Sequence, residues 1–440
     1  MKGRNMEERM NAMPETIRFG SRGSDVSLLQ LGLSRAGYYQ GALDGIFGNQ
    51  TREALLAFQR AEGIGADGIA GTESWGRLAP WLMGFVVKRI ESGDTYGALA
   101  EEYGTRVEAI QTANPAYNEE NLPVGGELVI PLEFPLVDER VPVSSWFVST
   151  IACGLAARYP FLEKGEYGKS VQGKPLYTLS LGIGKRKVHI GAAIHANEWI
   201  TSLLVLKYLE EYATALACDG EFAGVRAREL YRECRLVVTP LQNPDGVDLV
   251  TGALREGRGF LMARRIAVSY PGIPFPNGWK ANIQGIDLNL QFPAGWERAR
   301  AIKYNQGFRS PAPRDFVGFS PLEAPEARSL AELTRREDFA RVMAYHTQGN
   351  VIYWQFGDRE PEGARRIGEG LSSITGYPLE ETPAVSANAG YKDWFIQTWN
   401  RPGYTMEAGM GQNPLPLGDF PAIYEVNKPA MAYFMGARDA

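Results

Sequence analysis

His195 and Glu198, in the stretch "HANE", have the residue types and the spacing that a metal site needs. They follow "KVHIGAAI", an apolar run that predicts a buried strand, and polar groups at a buried strand end are costly without partners. An imidazole and a carboxylate in one tight strand-to-helix turn can reach the same ion. So short a pattern also arises by chance, with the histidine in the core and the acid at a helix N-terminus.

His346 favours the metal interpretation, because it ends a second apolar run, "ARVMAYH". The third histidine, His189, alternates to the opposite face of its strand and is predicted to be a core residue. Two histidines and a glutamate are a common ligand set of hydrolytic zinc sites, which leave one position for water. Glu407 ends the apolar run "GYTME" and has the chemistry of a general base. The alternative for Glu407 is a surface acid at a strand end.

The elements that would position these residues are strands of one sheet. From about 145 to 440, apolar runs alternate with helical stretches, which predicts an α/β domain of roughly 300 residues with a largely parallel sheet. Sites in such sheets gather at the carboxyl ends of the strands. At or just after predicted strand ends lie His195, Asn243, His346 and Glu407.

Two smaller units are predicted before this domain. Residues 15–80 contain two similar stretches, "DGIFGNQT" and "DGIAGTES", each with Asp-Gly turn chemistry and a threonine able to cap a helix. The helical patterns around them predict a three-helix bundle. Its expected core residues are Val26, Leu29, Leu33, Tyr38, Ala54, Leu55, Phe58 and Ala61. Residues 85–132 predict a βααβ unit in which "SGDT" caps the first helix and Asn114 closes the second.

Composition narrows the possible partners and location. A length of 440 residues suggests two to four domains, and a net charge of −5 argues against nucleic acid as a partner. No apolar run reaches the roughly 18 residues that a membrane span needs. The N-terminus lacks a signal-peptide core, so we expect a cytoplasmic protein, with release or cell-wall association as the alternatives. Three cysteines do not make a disulfide framework.

Five motifs occur in one order: "HANE" at 195–198, "NPDG" at 243–246, "GIDLN" at 285–289, "MAYH" at 343–346 and "YTMEAG" at 404–409. Together they resemble the zinc carboxypeptidase family. The resemblance implies an α/β fold with a mixed eight-stranded sheet flanked by helices, and one Zn²⁺ per chain. It also implies that His195, Glu198 and His346 bind the metal and that Glu407 is the general base. Lys280 falls near the family's arginine that stabilises the oxyanion.

The chain departs from family members that trim a C-terminal residue. Those members hold the free carboxylate with an Asn-Arg pair, whereas this chain has Asn289 and Leu290. A leucine cannot bind a carboxylate, so the C-terminal anchor is expected to be lost, while Asn289 is still expected to bind substrate. The family's mobile tyrosine has no clear match in this chain, and Val385 falls at the simplest ungapped position. The stretch "SANAGYKDWFIQTWNRPGYTMEAGMGQNPLPLGDF" resembles the γ-D-glutamyl-L-diamino acid endopeptidases, which cut peptidoglycan stem peptides.

The expected function is therefore zinc-dependent hydrolysis of the γ-D-glutamyl-meso-diaminopimelate bond by metal-activated water, with a glutamate base. The alternatives are a zinc carboxypeptidase, an N-acyl amino acid deacylase on the same fold, or a wall-binding protein with a decayed site. We further expect Lys392 to line the pocket for the residue after the cut and to pair with the extra carboxylate of diaminopimelate. The alternative for Lys392 is a solvated side chain.

The N-terminal units suit the same substrate. Residues 15–80 resemble a peptidoglycan-binding domain, and residues 84–133 resemble a LysM domain, which binds glycans that contain N-acetylglucosamine. The expected organisation is a flexible tail over 1–14, these two domains, and a zinc metallopeptidase domain over 134–440. The expected partners are peptidoglycan peptides and glycan, without nucleic acid or a membrane span.

Overall fold

The computed structural model describes residues 14–118 and 122–437. The tail expected over 1–14 lies, except for its last residue, outside the described residues. The chain forms two compact units. One comprises the residues up to Val141 together with Trp146–Lys164, and the other comprises Pro142–Ser145 together with the residues from Gly165 onward. The domain boundaries expected from the sequence stay predictions.

The first unit opens with three helices: α1 (Ser24–Arg35), α2 (Asn49–Ala61) and α3 (Thr72–Met83). Most of the expected core residues are buried, but Tyr38 and Ala61 are exposed, so both were wrongly assigned to the core. Tyr38 lies beyond the end of α1, and Ala61 is the last residue of α2. The predicted threonine caps are also wrong, because the residues before α2 and α3 are Gly48 and Gly71.

Two buried glutamines close the two similar loops in the same way. Four hydrogen bonds of the Gln30 side-chain amide reach Asp44, Gly45, Ile46 and Thr51. Four equivalent bonds of the Gln59 amide reach Asp67, Gly68, Ile69 and Ser74. In each loop the amide oxygen accepts a backbone N–H while the amide nitrogen donates to the other three groups. The similarity seen in the sequence is therefore also a similarity of polar contacts.

The βααβ unit follows as β1 (Phe85–Arg89), α4 (Tyr96–Tyr103), α5 (Val107–Ala113) and β2 (Glu127–Pro131). Its two strands are antiparallel. Thr95 caps α4, because its hydroxyl accepts from the backbone N–H of Ala98 at 3.1 Å. Asn114 ends α5 and accepts from Val129 N–H at 2.9 Å, which ties the helix to β2. Both capping predictions are confirmed.

A buried arginine satisfies three backbone carbonyls of the first unit. Arg158 ends α6 (Ser145–Arg158) and donates to the carbonyl oxygens of Gly84, Leu132 and Phe134. Two of these carbonyls lie immediately outside β1 and β2. Buried carbonyls need such partners, because an unpaired one costs about as much as a lost hydrogen bond.

The second unit is built on a mixed sheet of eight strands, in the order β11-β10-β12-β9-β5-β8-β4-β3. The strands are β3 (Leu162–Lys169), β4 (Pro175–Leu181), β5 (Arg186–Gly191), β8 (Cys234–Thr239), β9 (Arg341–Thr347), β10 (Val351–Tyr353), β11 (Leu379–Glu380) and β12 (Gly403–Ala408). The central strands β12, β9, β5 and β8 run parallel, whereas β10 and β4 are antiparallel to their inner neighbours. The mixed eight-stranded sheet expected from the sequence is confirmed.

Helices flank this sheet: α7 (Ile200–Ala217), α8 (Ala227–Glu233), α9 (Pro244–Thr251), α10 (Gly257–Val268), α11 (Trp296–Asn305), α12 (Pro325–Glu337), α13 (Ala364–Thr375), α14 (Tyr391–Trp399) and α15 (Phe420–Gly436). A small hairpin, β6 (Glu221–Phe222) and β7 (Val225–Arg226), follows α7. His189 is fully buried and hydrogen-bonds Thr239 and Tyr391, as expected for a core histidine. Within the described part of the chain, no helix combines the length and the apolarity needed to span a membrane.

Candidate metal centre

The carboxyl ends of neighbouring parallel strands bring the candidate residues together. His195 follows β5, and Glu198 ends a short 3₁₀ turn, Ala196–Glu198. His346 lies in β9, which pairs with β5 on one side and with β12 on the other. Glu407, in β12, is the register partner of His346. Four residues from three distant segments of the sequence therefore meet at one edge of the sheet.

The side chains of His195, Glu198 and His346 converge on one point. One atom from each lies within 4.8 Å of the others. The Glu198 oxygens lie 3.1 Å from His195 Nδ1 and 3.0 Å from His346 Nδ1, and the two Nδ1 atoms are 3.2 Å apart. Two imidazole nitrogens and a carboxylate are the donor set that a hydrolytic zinc ion takes. These residues therefore fit Zn²⁺.

Asp287 orients the first of these histidines. Its Oδ1 lies 3.3 Å from His195 Nε2, and its Oδ2 accepts the backbone N–H of Asp315 at 3.0 Å. A carboxylate on the outer nitrogen of a metal-binding histidine fixes the ring and its tautomer. Asp287 lies within the "GIDLN" motif, but the sequence reasoning gave it no role. Its place in that motif, two residues before Asn289, was the signal that could have identified it.

The charges around Glu198 stabilise its ionised form. Burial would raise the pKa of Glu198, but the Lys280 ammonium and His195 hold it well below its usual range. The Lys280 Nζ atom donates to Glu198 Oε1 at 2.9 Å. Burial would lower the pKa of His195, but the carboxylates of Glu198 and Asp287 raise it to about 9. Lys280, expected near a substrate oxyanion, thus contacts a proposed metal ligand directly.

Asn243 fixes the backbone that carries this cluster. It lies after β8, is fully buried, and its side-chain oxygen accepts from the Gly246 N–H at the start of α9. Its Nδ2 donates to the carbonyl oxygens of Ile194, Lys280 and Ala281. One side chain therefore links the residues next to His195 with the residue expected at the oxyanion. The position of Asn243 at a strand end was the sequence signal for this site.

Glu407 lies in the same pocket without a salt bridge to any described residue. Burial, with a further contribution from the nearby Glu198 carboxylate, raises its pKa to about 8. A carboxyl group in such surroundings is poised to exchange a proton near neutral pH. This environment fits the base expected from the sequence, and the role itself stays a prediction.

The pocket beside the cluster has a volume of about 220 Å³. Its lining includes Lys280, Asn289, Leu290, Arg314, Lys392 and Glu407. Asn289 Nδ2 lies 3.5 Å from His346 Nε2, and its Oδ1 accepts from Tyr391 N–H. Leu290 gives this part of the pocket an apolar side chain where a carboxylate anchor would need a cation. Val385 is 59% exposed and is not part of the lining.

Lys392 lies in α14 and is buried, so the alternative of a solvated lysine is wrong. Its Nζ lies 2.7 Å from Asp393 Oδ1 and donates to the Gln355 carbonyl at 2.6 Å. A third contact joins it to the Thr382 hydroxyl at 3.3 Å. Lys392 thus faces the pocket as one half of a Lys–Asp pair.

Residues 150–429 match the family model described as zinc carboxypeptidase. The chain belongs to the zinc carboxypeptidase family. It is therefore a peptidase of the metal-dependent class. In the same chain, residues 22–78 match a putative peptidoglycan binding domain and residues 89–131 match a LysM domain.

Two curated relatives match the peptidase part of the chain. The gamma-D-glutamyl-L-diamino acid endopeptidase 1 of Lysinibacillus sphaericus is 42% identical over 271 residues, which cover 62% of this chain and 66% of that protein. The uncharacterized protein YqgT of Bacillus subtilis is 39% identical over 270 residues, or 60% of this chain and 70% of that protein. Carboxypeptidase A from Helicoverpa armigera shares the fold, with a TM-score of 0.50 at 16% identity, over 96% of this chain and 100% of its own.

Proposed function

We propose that this member of the zinc carboxypeptidase family hydrolyses the bond between γ-D-glutamate and meso-diaminopimelate in peptidoglycan stem peptides. One observation carries the proposal. The full metal-binding set is kept and the half-buried Glu407 lines the pocket, but Leu290 lies where an exopeptidase needs a cation for the C-terminal carboxylate. The 42% identity to an endopeptidase of this name supports the same conclusion. Cleavage inside a peptide needs no C-terminal anchor.

Zn²⁺ held by His195, Glu198 and His346 would lower the pKa of water and polarise the scissile carbonyl. Glu407 takes the proton from the attacking water and then gives it to the leaving amine of diaminopimelate. Lys280 supplies positive charge beside the carbonyl oxygen, although it lacks the two-pronged geometry of an arginine.

The Lys392–Asp393 pair fits the far end of diaminopimelate. That end carries both an ammonium group and a carboxylate, so the opposite charges of the Lys392–Asp393 pair complement it electrostatically. Lysine at the same place in a stem peptide has only the ammonium group. We therefore expect Lys392→Met to raise KM for diaminopimelate peptides more than for lysine peptides. Equal effects on both peptides would contradict this assignment.

The N-terminal domains fit the same substrate. A peptidoglycan-binding domain and a LysM domain on one chain would hold the enzyme on wall glycan that contains N-acetylglucosamine, close to its peptides. We propose that these domains give the protein its cell-wall association, and that they correspond to residues 15–80 and 84–133 of the expected organisation.

Mass spectrometry of the products from L-Ala-γ-D-Glu-meso-diaminopimelate tests the proposal. The expected products are L-Ala-D-Glu and free diaminopimelate, and a chelator should abolish their formation. In a matched peptide, D-Ala is attached to the C-terminal carboxyl group of diaminopimelate, so that this carboxylate is no longer free. Equal cleavage of both peptides between glutamate and diaminopimelate supports an endopeptidase, whereas loss of activity on the extended peptide supports a carboxypeptidase.

A further inference from the structure

Arg314 lines the pocket beside the candidate metal centre, on the loop between α11 and α12. The preceding residue, Pro313, accepts backbone N–H bonds from both Lys280 and Ala281, at 2.8 and 2.9 Å. The following residue, Asp315, donates its N–H to Asp287, the aspartate that contacts His195. Arg314 is thus held between two residues of the site. One is Lys280, which is proposed to lie at the carbonyl oxygen, and the other is Asp287, which contacts the proposed metal ligand His195.

Arg314 shares its nearest carboxylate with a second cation. Its Nε donates to Asp315 Oδ2 at 2.7 Å, while Lys303 Nζ donates to Asp315 Oδ1 at 2.5 Å. Two cations therefore share one carboxylate. Asp315 has a φ of 66°, a left-handed backbone that aspartate tolerates better than most residues. The loop accepts this conformation and thereby sets the carboxylate between the two cations.

The guanidinium group of Arg314 has unused hydrogen-bonding capacity. Its two terminal nitrogens make no hydrogen bond with any residue that the structure describes, and the side chain is 42% exposed. A guanidinium with both terminal nitrogens available can bind a carboxylate with two parallel hydrogen bonds. Lys280 and Lys392 each bond a carboxylate of the chain through Nζ, their single nitrogen, whereas Arg314 bonds Asp315 through Nε alone.

We propose that Arg314 binds the free α-carboxylate of the D-glutamate whose γ-carbonyl is cut. This assignment rests on the proposed function. In a γ-linked glutamate the α-carboxylate is free, and standard bond lengths place it only about 5 Å from the γ-carbonyl carbon. A non-acidic residue before the cut has no free carboxylate at this distance from the scissile carbonyl. A cation next to Lys280 would therefore select an acidic residue, such as γ-linked D-glutamate, on the side of the cut opposite to diaminopimelate.

Three peptides separate the possible carboxylates. The first is L-Ala-γ-D-Glu-meso-diaminopimelate, the second carries an α-carboxamide on D-glutamate, and the third carries a carboxamide at the C-terminal carboxylate of diaminopimelate. They are assayed with the zinc-loaded full chain and with Arg314→Gln, Arg314→Lys and Arg309→Gln. Arg309 is an exposed arginine of the same loop that does not line the pocket, so it serves as the matched control.

Arg314→Gln should lower kcat/KM on the first and third peptides roughly 10- to 100-fold, the size of a lost charge-assisted contact, and change the second less than about threefold. Arg314→Lys should recover part of the loss, and Arg309→Gln should change none of the three. Zinc content and unfolding midpoint should match the parent protein. Equal losses on all three peptides, or a loss that disappears only for the third, would overturn the assignment. A parent protein that cuts none of the peptides refutes the proposed function and the assignment with it.

Discussion

Glu326 should make the stability of the second unit depend on pH. It lies in the first turn of α12, is 2% exposed, and accepts hydrogen bonds from Val171 N–H at 3.0 Å and from Asn282 Nδ2 at 3.2 Å. Burial nevertheless raises the pKa of its carboxyl from 4.5 to about 7. Between these values the native state holds a proton that the unfolded chain releases. Stability is therefore fully present below the unfolded value and is lost as the pH rises towards 7.

The difference between the two pKa values corresponds to about 3 kcal/mol of unfolding free energy, because one pKa unit is about 1.36 kcal/mol. Glu326→Gln keeps the shape of the side chain and removes the titration. Because both oxygens of Glu326 accept hydrogen bonds, the amide nitrogen of the glutamine would face one of these two donors and lose that bond. The variant should therefore be less stable than the parent at low pH. Between pH 4.5 and 8 the difference should move by about 3 kcal/mol in favour of the variant.

Urea unfolding of the full chain at a series of pH values, followed by tryptophan fluorescence, measures this change. Glu332→Gln is the matched control, because Glu332 is an exposed residue of the same helix. Its curve of stability against pH should run parallel to that of the parent. Parallel curves for Glu326→Gln as well would refute the reasoning, since they would mean that Glu326 titrates alike in the folded and unfolded chains.

Three further changes test other parts of the molecule. Glu407→Gln should retain one zinc per chain by elemental analysis but lower kcat roughly 10²- to 10⁴-fold, and near-normal turnover would exclude it as the base. Asp287→Asn should weaken zinc affinity roughly 10- to 100-fold in competition with a chelator, because the ring of His195 loses its partner; unchanged affinity would contradict that role. Gln59→Leu should destabilise the three-helix bundle by about 2 to 4 kcal/mol in urea unfolding, because it leaves buried loop groups unpaired. A change below about 0.5 kcal/mol would contradict the role of Gln59 in holding its loop.

Much of the architecture could be predicted from local pattern. The apolar runs that end near His195, His346 and Glu407 are strands of one sheet, and parallel pairing brings their ends together. The caps at Thr95 and Asn114 follow from side chains that bond to nearby backbone. Such features depend on short-range geometry, which the sequence carries directly.

Contacts between distant segments could not be predicted in the same way. Lys392 was expected to be available to substrate, but burial next to Asp393 gives it a partner on the chain. Arg314 lies on a loop without a recognisable pattern, and only the packing of that loop against Lys280 brings it into the pocket. Asp287 gains its place through a contact with His195 across 92 positions. Partners of this kind depend on the assembled fold.

The two buried glutamines of the three-helix bundle hold the two loops in the same way although the loops differ in their buried side chains. Gln30 and Gln59 hold their loops by the same contacts, yet the buried residue is Phe47 in one loop and Ala70 in the other. The same contacts are thus compatible with a large difference in side-chain volume beneath them. The two loops are in this sense two copies of one polar framework. A substitution at the buried position of either loop can therefore be accommodated without loss of the contacts that hold the loop closed.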